Sequence, residues 1–501
     1  MKFNFSNFFK KEYLLLYFFI LLGLFLRIQG VVTNSFAFTY DVGRDMLTLW
    51  DIAYAHKFIL IGATTGLPGV FYGPWWYYFL TPFFILFSAN PQGMDLTMTL
   101  IGVVSIFLGF VLGKKTGGNT LGLLIAGLVT VSSEFLSLSA QIWNPNIIPL
   151  FVFLTLILLE KIYKEKKTFL KEYFLLGLLL SFVIDLEIIF GILFSIGVII
   201  SLGIINKSKI SFKQIASFIL GVFIIFFPRI LFELRHNFLM SKSFISYFFT
   251  PKAVHAASAP VGALSDKLSI VFDQFSSTLA ADNKLLGVFI LIFIFLTLVF
   301  LYKNSEKTVK NLVKTCLTIL VVFFAGTIIF SHDIWPHYLV GLPVVYILLF
   351  SVSLYLLGKR ISNFILPSLI FAALFLFILN PVSLVKSLTR PVWEGDASVY
   401  RNQLAVVDYV YKQARGEKFK YVVYTPGVND YVYKYLFKWY GPEKYHYGPT
   451  TKVTIAYFIL EPDYQDPTRL PDWLKKRSGD GKIIKDVMLK GNIRVQTRLV
   501  H

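Results

Sequence analysis

The sequence predicts an α-helical polytopic membrane protein with a small α/β domain at its C-terminal end. Of its 501 residues, 56% are hydrophobic and only 15% are charged, a composition too apolar for ordinary soluble domains. Apolar segments that can cross about 30 Å of hydrocarbon recur between residues 13 and 380 and predict about eleven spans. The net charge of +19 lies mostly in short basic clusters between these segments and in the tail. It therefore indicates membrane topology rather than binding of nucleic acid.

The basic loops set the predicted orientation. The positive-inside rule places the N-terminus and the loops at residues 161–171 and 303–314 in the cytoplasm. Residues 31–95 then form a large first outer loop, and the C-terminal domain is extracytoplasmic. The first apolar run, residues 13–28, follows two lysines as in a signal peptide, but no clear small-residue cleavage site follows it. We interpret it as a retained first span of a cell-membrane protein.

Two apolar segments depart from a simple series of spans. Residues 173–205 lie between two basic loops, which predicts two short helices that meet near Asp185 and Glu187. Residues 71–87 are aromatic and contain two prolines, and a full crossing here would place every later basic loop outside. We therefore predict a re-entrant or interfacial element on the outer side for this segment.

The composition changes after the last apolar run. A membrane domain is predicted for residues 1–380 and an extracytoplasmic α/β domain for residues 391–501, where charges and tyrosines increase. Within the latter, residues 421–424 and 454–460 have the pattern of strands and residues 402–413 that of a helix. The single cysteine excludes a disulfide or a cysteine metal site within one chain.

The first outer loop contains the strongest candidate for catalysis. Asp41 and Asp45 are four residues apart, so on a helix they would share one face, with Arg44 beside them. A carboxylate in this position could take the proton of an acceptor hydroxyl as a general base. The equally weighted alternative is an interfacial helix that Asp41 caps and in which Arg44 pairs with a neighbour.

Other charged and aromatic side chains lie at the outer ends of predicted spans. Arginine and histidine here could bind a lipid phosphate, although snorkelling to headgroups is the alternative for each. The phosphate-binding candidates are Arg44, Arg229, Arg235, His236, His337 and Tyr338. The pair His332 and His337 with Asp333 lacks the spacing of a zinc site. No cofactor is therefore predicted, and a divalent metal remains open.

Asp185 and Glu187 support an alternative function. They are either the polar tip of a helical hairpin or a proton relay, and a relay would fit a secondary transporter or lipid flippase. A third hypothesis is an envelope assembly factor whose aromatic tail binds a glycan or a protein. The tail aromatics that could stack on sugars are Tyr424, Tyr431, Tyr433, Trp439 and Tyr440.

The order of these motifs resembles that in the GT-C superfamily of membrane glycosyltransferases, specifically family 39-like proteins. Asp41-Val42-Gly43-Arg44 is similar to the family's first-loop motif, an acidic pair followed by arginine, although Val42 replaces the second acid. The FYGPWWYY segment at residues 71–78 is similar to the proline-rich element that follows. Residues 141–146 and 337–343 resemble a polar outer turn and the start of a late span. The likeness covers the membrane part.

The resemblance implies sugar transfer from a polyprenyl-phosphate donor to an acceptor hydroxyl on the extracytoplasmic side. The acceptor would be a glycan, a lipid or a protein of the cell envelope. By analogy with inverting glycosidases, Asp41 would act as the base, and Asp45 as its partner or substitute. The basic candidates would surround the phosphate, which leaves without an acid when cations hold it.

Overall fold

The computed structural model describes residues 11–164, 169–206, 210–249, 264–329, 334–382, 384–385, 396–427, 429–451 and 453–500. It is helical as far as Leu379 and ends in a small α/β domain, which confirms the predicted fold class. His332, Asp333 and most of the predicted boundary at residues 381–390, namely residues 383 and 386–390, lie outside the described residues.

The elements follow one another in a simple order. The membrane part contains α1 (Lys11–Thr33), α2 (Tyr40–Ala55), α3 (Trp75–Leu86), α4 (Pro91–Gly117), α5 (Asn119–Val131), α6 (Ser133–Ser139), α7 (Ile148–Lys164), α8 (Leu170–Leu186), α9 (Ile188–Ile205), α10 (Phe212–Arg235), α11 (Leu239–Phe249), α12 (Leu264–Ala280), α13 (Lys284–Leu301), α14 (Lys307–Ile329), α15 (Leu342–Arg360) and α16 (Ile365–Leu379). The C-terminal domain contains α17 (Tyr400–Ala414), β1 (Phe419–Tyr424), α18 (Tyr431–Tyr445), β2 (Ile455–Leu460), α19 (Arg469–Lys476), β3 (Lys482–Leu489) and β4 (Ile493–Leu499).

The predicted number of spans is not confirmed. Within the described ranges, 8 helices are long and apolar enough to cross a membrane, or up to 9 if the bent pair α5 and α6 forms one span. Two helices that the sequence counted as spans, α8 with 17 residues and α16 with 15, are shorter than this length. At 1.5 Å per residue they reach about 26 Å and 23 Å, against about 30 Å of hydrocarbon.

The predicted hairpin is present, and the aromatic segment forms a short helix. The hairpin breaks between α8 and α9, where Glu187 is extended and its carboxylate accepts a hydrogen bond from the backbone N–H of Phe190. Because that carboxylate satisfies a free N–H at the start of α9, it stabilises the break. The FYGPWWYY segment leads into α3, whose 12 residues span only about 18 Å and are too short to cross the bilayer.

The loops sort to the two ends of the bundle. At one end, Lys164 donates a hydrogen bond to the Lys115 carbonyl and Thr308 donates to the Thr116 carbonyl, so three basic loops lie together. The start of α4, at the far end of that 27-residue helix, contacts the first outer loop and the C-terminal domain. The C-terminal domain and the first outer loop are therefore on the same side, opposite the basic loops.

Arg27 of α1 holds the bend between α5 and α6. The two helices are inclined by 62° at Ser132, which leaves the last carbonyls of α5 without helical partners. The Arg27 guanidinium donates to the carbonyls of Val129 and Thr130 at 3.0 and 3.1 Å and to the Ser139 hydroxyl at 3.1 Å. It is 5% exposed, so the bend depends on a buried cation that the sequence pattern did not reveal.

Arg27→Met is expected to destabilise the protein. The variant loses hydrogen bonds from a charged donor, which contribute about 1.5–3 kcal/mol each, and leaves two buried carbonyls unpaired. Thermal unfolding of the purified protein in detergent should show a clear fall in Tm. Val32→Met on the same helix is the matched control, because Val32 is 66% exposed. Equal Tm values for the two variants would contradict the assigned role of Arg27.

The C-terminal domain is a four-stranded sheet with helices on its faces. The strand order is β1-β2-β4-β3, with β1 and β2 parallel and the other neighbours antiparallel. Backbone hydrogen bonds join residues 34–38 of the first outer loop to residues 398–401. The aromatic core between α17, α18 and the sheet is continuous with the membrane part, so the domain is docked on the bundle through apolar packing as well.

Candidate active site

Asp41, Arg44 and Asp45 lie together on the first turns of α2. The Arg44 guanidinium donates to Asp41 Oδ1 from Nη1 at 2.7 Å and to Asp45 Oδ1 from Nη2 and Nε at 2.8 and 2.9 Å. One guanidinium therefore bridges both carboxylates, as the spacing along the helix allows. The two acids nevertheless differ strongly in their surroundings.

Asp45 is a buried anchor. Its side chain is 1% exposed, and it also accepts hydrogen bonds from the Tyr77 hydroxyl at 2.7 Å and the Trp76 indole N–H at 3.0 Å. Burial raises the pKa of Asp45, and the Arg44 guanidinium together with these two donors opposes the rise. With its oxygens occupied, Asp45 is suited to holding Arg44 in place rather than to contacting a substrate.

Asp41 is the accessible acid. Its side chain is 46% exposed, and its ion pair with Arg44 fixes one of its oxygens. The helix is preceded by Thr39 at the N-cap position, where no side chain makes a capping hydrogen bond. The interfacial-helix alternative predicted Asp41 as the cap of this helix, but Thr39 occupies the N-cap position. The pairing of Arg44 with a neighbour, which the same alternative predicted, is present. An exposed carboxylate that is oriented by a fixed cation has the geometry of a general base.

Tyr72 lies beside Glu187 and Tyr338, two further residues that the sequence singled out. Its phenol lies within electrostatic reach of Glu187, Tyr338, Asp41 and Arg44, and burial, followed by Glu187, raises the pKa of Tyr72. The phenol therefore stays protonated and can donate a hydrogen bond. A small cavity of about 30 Å³ lies between Tyr72, Glu187 and Tyr338. The structure thus brings Tyr338, a predicted site residue, to the same cavity as Tyr72.

Arg229 has a partner that the sequence analysis assigned to another function. Its guanidinium donates to Asp185 Oδ1 from Nη2 at 2.8 Å and from Nε at 3.1 Å. Asp185 is fully buried and also accepts from the Trp75 backbone N–H at 3.1 Å. A side chain on Gly73 would overlap the Asp185 carboxylate, since a built Cβ lies 1.5 Å from Oδ1. Asp185 and Arg229 therefore fix the FYGPWWYY segment against α8 and α10.

Arg235 and His236 lie at the exposed end of α10. The His236 ring stacks on Phe232, with centroids 4.1 Å apart, and its Nδ1 lies 2.9 Å from the Phe232 carbonyl. Phe232 in turn packs on Phe71 of the first outer loop. The contacts of His236 thus tie it to the C-terminal turn of its own helix rather than to the Asp41 group.

His337 borders a second and larger cavity. The pocket has a volume of about 440 Å³, and its lining includes Glu134, Trp143, Asp273 and Asp282 as well as His337. The His337 ring meets the Trp143 ring edge to face at 5.2 Å. Burial lowers the pKa of His337 to about 4, so the imidazole is neutral at neutral pH. It can act there as a hydrogen-bonding group but not as a cation for a phosphate.

The C-terminal domain packs directly on the helix that carries the acids. A Cβ built on Gly43 would lie 2.6 Å from the backbone nitrogen of Val432 and 2.8 Å from the carbonyl carbon of Tyr431. Only glycine permits this approach of α18 to α2. Around it, Trp439 donates to the Ser88 carbonyl at 3.1 Å and Tyr435 donates to the Ala89 carbonyl.

Gly43→Ala is expected to separate α18 from α2. The added methyl group would meet backbone atoms, which cannot move aside, and overpacking of this kind costs about 1–3 kcal/mol. We expect a lower Tm and loss of any activity that depends on Asp41. Gly66→Ala in the same outer loop is the control, because no atom lies within 4 Å of its built Cβ. Gly43→Ala protein with the stability and activity of Gly66→Ala would contradict the contact.

The sequence did not reveal the roles of several residues of the site. Trp76, Tyr77 and Tyr72 belong to a segment that was identified only as interfacial, and nothing local indicates that they reach Asp45 or Asp41. Gly43 was a clearer signal. A glycine within a predicted helix, here between two acids, often marks a point where another backbone segment packs closely. Across the described residues, no group of three or more His, Cys, Asp or Glu side chains is arranged to hold a metal ion.

Comparison with known proteins identifies the fold. No family model matches the chain, and no curated protein sequence matches it either. Solved structures, by contrast, share the fold of this chain. In particular, the chain is similar to ArnT from Cupriavidus metallidurans bound to undecaprenyl phosphate, with a TM-score of 0.61 and 12% identity over 96% of this chain and 97% of that one.

Two further structures are similar to a comparable or lesser extent. ArnT from Cupriavidus metallidurans in the apo state has a TM-score of 0.60 and 11% identity, with 96% of this chain and 97% of that chain covered. The Archaeoglobus fulgidus oligosaccharyltransferase with Zn and sulfate has a TM-score of 0.46 and 12% identity, with 79% and 55% covered. The fold that the sequence resemblance implied is confirmed by the ArnT structures.

Proposed function

We propose that the protein is a membrane glycosyltransferase that moves a sugar from a polyprenyl-phosphate donor to an acceptor hydroxyl on the extracytoplasmic side. The observation that carries the proposal is the half-exposed Asp41 carboxylate, oriented by Arg44, which the buried Asp45 anchors in turn. The fold adds support, since it is shared with ArnT, which binds undecaprenyl phosphate. The acceptor would be a glycan, lipid or protein of the cell envelope.

The proposed reaction is a single displacement. Asp41 takes the proton of the acceptor hydroxyl, and the oxygen attacks the anomeric carbon of the sugar. The bond between that carbon and the phosphate oxygen breaks, and the polyprenyl phosphate leaves with the electron pair. Attack opposite to the leaving group inverts the anomeric configuration. One base is enough, because a phosphate monoester is a stable leaving group.

The leaving phosphate requires donors rather than an acid. Of the predicted candidates, Arg44 is bonded to Asp41, and Tyr338 lines a cavity together with Tyr72. Arg229 is engaged with Asp185, and His337 is neutral at neutral pH. We therefore place the phosphate next to Arg44, Tyr72 and Tyr338, where hydrogen bonds to the developing charge stabilise the transition state.

The orientation is part of the proposal. The basic loops gather at the end of the bundle opposite the candidate site, and the positive-inside rule assigns that end to the cytoplasm. The N-terminus would then be cytoplasmic and the C-terminal domain extracytoplasmic. A cysteine introduced at the exposed Tyr464 should react with a membrane-impermeant maleimide in intact cells. Labelling only after cell lysis would reverse the proposed orientation.

The transporter alternative receives less support. Asp185 is paired with Arg229, and Glu187 caps α9, so local structural contacts account for both carboxylates. A coupling site would instead need a carboxylate that alternates between partners. The favoured role for the two acids is to fix the hairpin and the FYGPWWYY segment.

A donor panel tests the function. Purified full-length protein in lipid nanodiscs is incubated with polyprenyl-phosphate sugars that carry a radiolabelled sugar, together with sugar, peptide and alcohol acceptors. Release of polyprenyl phosphate with appearance of labelled acceptor is the expected result for at least one donor. Absence of turnover and of binding for every donor would overturn the proposal.

A further inference from the structure

The loop that follows β1 meets the helix that carries Asp41. Strands β1 and β2 are parallel, and their carboxyl ends lie at Tyr424 and Leu460. From this edge the chain reaches Gly427, where a built Cβ would lie 3.5 Å from the Tyr40 ring. The crevice outside the carboxyl ends of parallel strands is the usual ligand site of open α/β sheets. Here the loop after β1 reaches the first turn of α2.

A pair of tyrosines lies at this edge, and one of them precedes Asp41 in the chain. Tyr40 directly precedes Asp41, and its ring lies 5.1 Å from the ring of Tyr431, at an angle of 46°. Both tyrosines are only partly buried, and Gly427 above Tyr40 is exposed. Tyr40, the residue before Asp41, therefore contacts an aromatic residue of the C-terminal domain.

The other four tail aromatics that the sequence suggested for sugar stacking do not offer such a surface. Tyr433 is 0% exposed, Trp439 7% and Tyr424 8%, so their rings belong to the core. The hydroxyl of Tyr440 donates to Asp408 on the side of the domain formed by α17. Of the tail aromatics that the sequence suggested, Tyr431 is the one that packs against Tyr40, the residue before Asp41.

We propose that Tyr40 and Tyr431 form an acceptor subsite that takes the face of a pyranose, so that the acceptor hydroxyl belongs to a carbohydrate. The C–H face of a pyranose is apolar with electropositive hydrogens, which suits the negative face of a tyrosine ring. Glycine at position 427 adds no side chain that would cover the Tyr40 ring. This inference rests on the proposed function and specifies its acceptor.

The first test removes one ring. Transfer to octyl pyranosides is measured for wild type, Tyr431→Ala and Tyr431→Phe, with Tyr464→Ala as control because Tyr464 is 72% exposed elsewhere in the same domain. Tyr431→Ala should raise the KM for the acceptor about tenfold or more and more than it lowers kcat, since a ring contact contributes on this scale. Tyr431→Phe keeps the ring face and should remain close to wild type.

The second test adds a side chain over the Tyr40 ring instead of removing a ring. Gly427→Leu places its first carbon at ordinary van der Waals distance from Tyr40, so the variant should fold, and its side chain should cover the ring. The KM for octyl pyranosides should rise as in Tyr431→Ala. Gly448→Leu is the matched control, because no atom lies within 4 Å of its built Cβ. An acceptor KM that is unchanged in Gly427→Leu and in Tyr431→Ala would overturn the subsite.

A binding measurement separates this inference from the proposed function. Saturation-transfer NMR detects octyl pyranoside binding without any turnover. Binding that is lost in Tyr431→Ala, while no donor is turned over, would support the subsite and reject the transferase. Turnover to 1-octanol or to a serine peptide, with no binding of or transfer to any pyranoside, would support the transferase and overturn the carbohydrate subsite.

Discussion

Asp41→Asn is expected to lower kcat for sugar transfer by about 10²- to 10⁴-fold, the range that general-base catalysis contributes. Asparagine has nearly the shape of aspartate and its oxygen can still accept from Arg44, but it cannot take a proton. The exposed ion pair is worth little in stability, about 1 kcal/mol at most. The variant should therefore unfold at almost the wild-type temperature and still bind the donor. Transfer of radiolabelled sugar in nanodiscs, together with thermal unfolding, measures both effects.

Asp51→Asn is the control for this variant. Asp51 is on the same helix and also forms an exposed ion pair, with Lys57 at 2.7 Å, but it lies more than two turns from Asp41 along α2. It should retain activity close to that of wild type. If Asp41→Asn were as active as Asp51→Asn, then Asp41 would not be the base. The proposed mechanism would then lose its central residue.

Local patterns in the sequence were sufficient for most of the fold. Two basic loops around 33 apolar residues required a hairpin, and the structure breaks it at Glu187. Alternating apolar runs in the tail gave two strands within one or two residues of β1 and β2. These features depend on composition and periodicity, which tolerate sequence change. At 12% identity to ArnT the fold is still the same.

The count of about eleven spans is not confirmed, because length and hydropathy diverge in some helices. The segments of α8 and α16 are apolar, but the helices that form are shorter than a full crossing. Between α5 and α6 the apolar run continues while the helix axis turns by 62°. The sequence contained no local sign of this bend, because its stabilising group is Arg27, more than 100 residues away along the chain.

Only part of the candidate site could be predicted, because helical spacing relates neighbouring residues but not residues on distant elements. The i, i+4 relation of Asp41 and Asp45 and the pairing with Arg44 follow from helical spacing alone. The difference between the two acids does not, because it depends on Trp76 and Tyr77, which reach Asp45 across 31 and 32 residues. Similarly, no pattern linked Asp185 to Arg229, 44 residues away. Ion pairs between distant elements are set by packing.

Asp45→Asn is expected to have the second large effect, on stability as well as on activity. The asparagine retains one acceptor oxygen, whereas its amide hydrogens would face donors from Arg44, Tyr77 or Trp76. Breaking a buried ion pair by removing one partner costs about 3–5 kcal/mol, since the remaining charge stays buried. We expect a lower Tm, measured by thermal unfolding, and a lower kcat, because Arg44 would lose its anchor and no longer orient Asp41.

The double variant distinguishes anchoring from direct catalysis. If Asp45 acts only through Arg44 and Asp41, then adding Asp45→Asn to Asp41→Asn should lower Tm further but change kcat little, because groups that act as a unit are strongly non-additive. If Asp45 were itself the base, Asp41→Asn would remain active and the double variant would lose that activity. The buried position of Asp45, 1% exposed and bonded to three donor side chains, favours the first outcome. The accessible Asp41 would then be the base, and the buried Asp45 would hold the arginine that orients it.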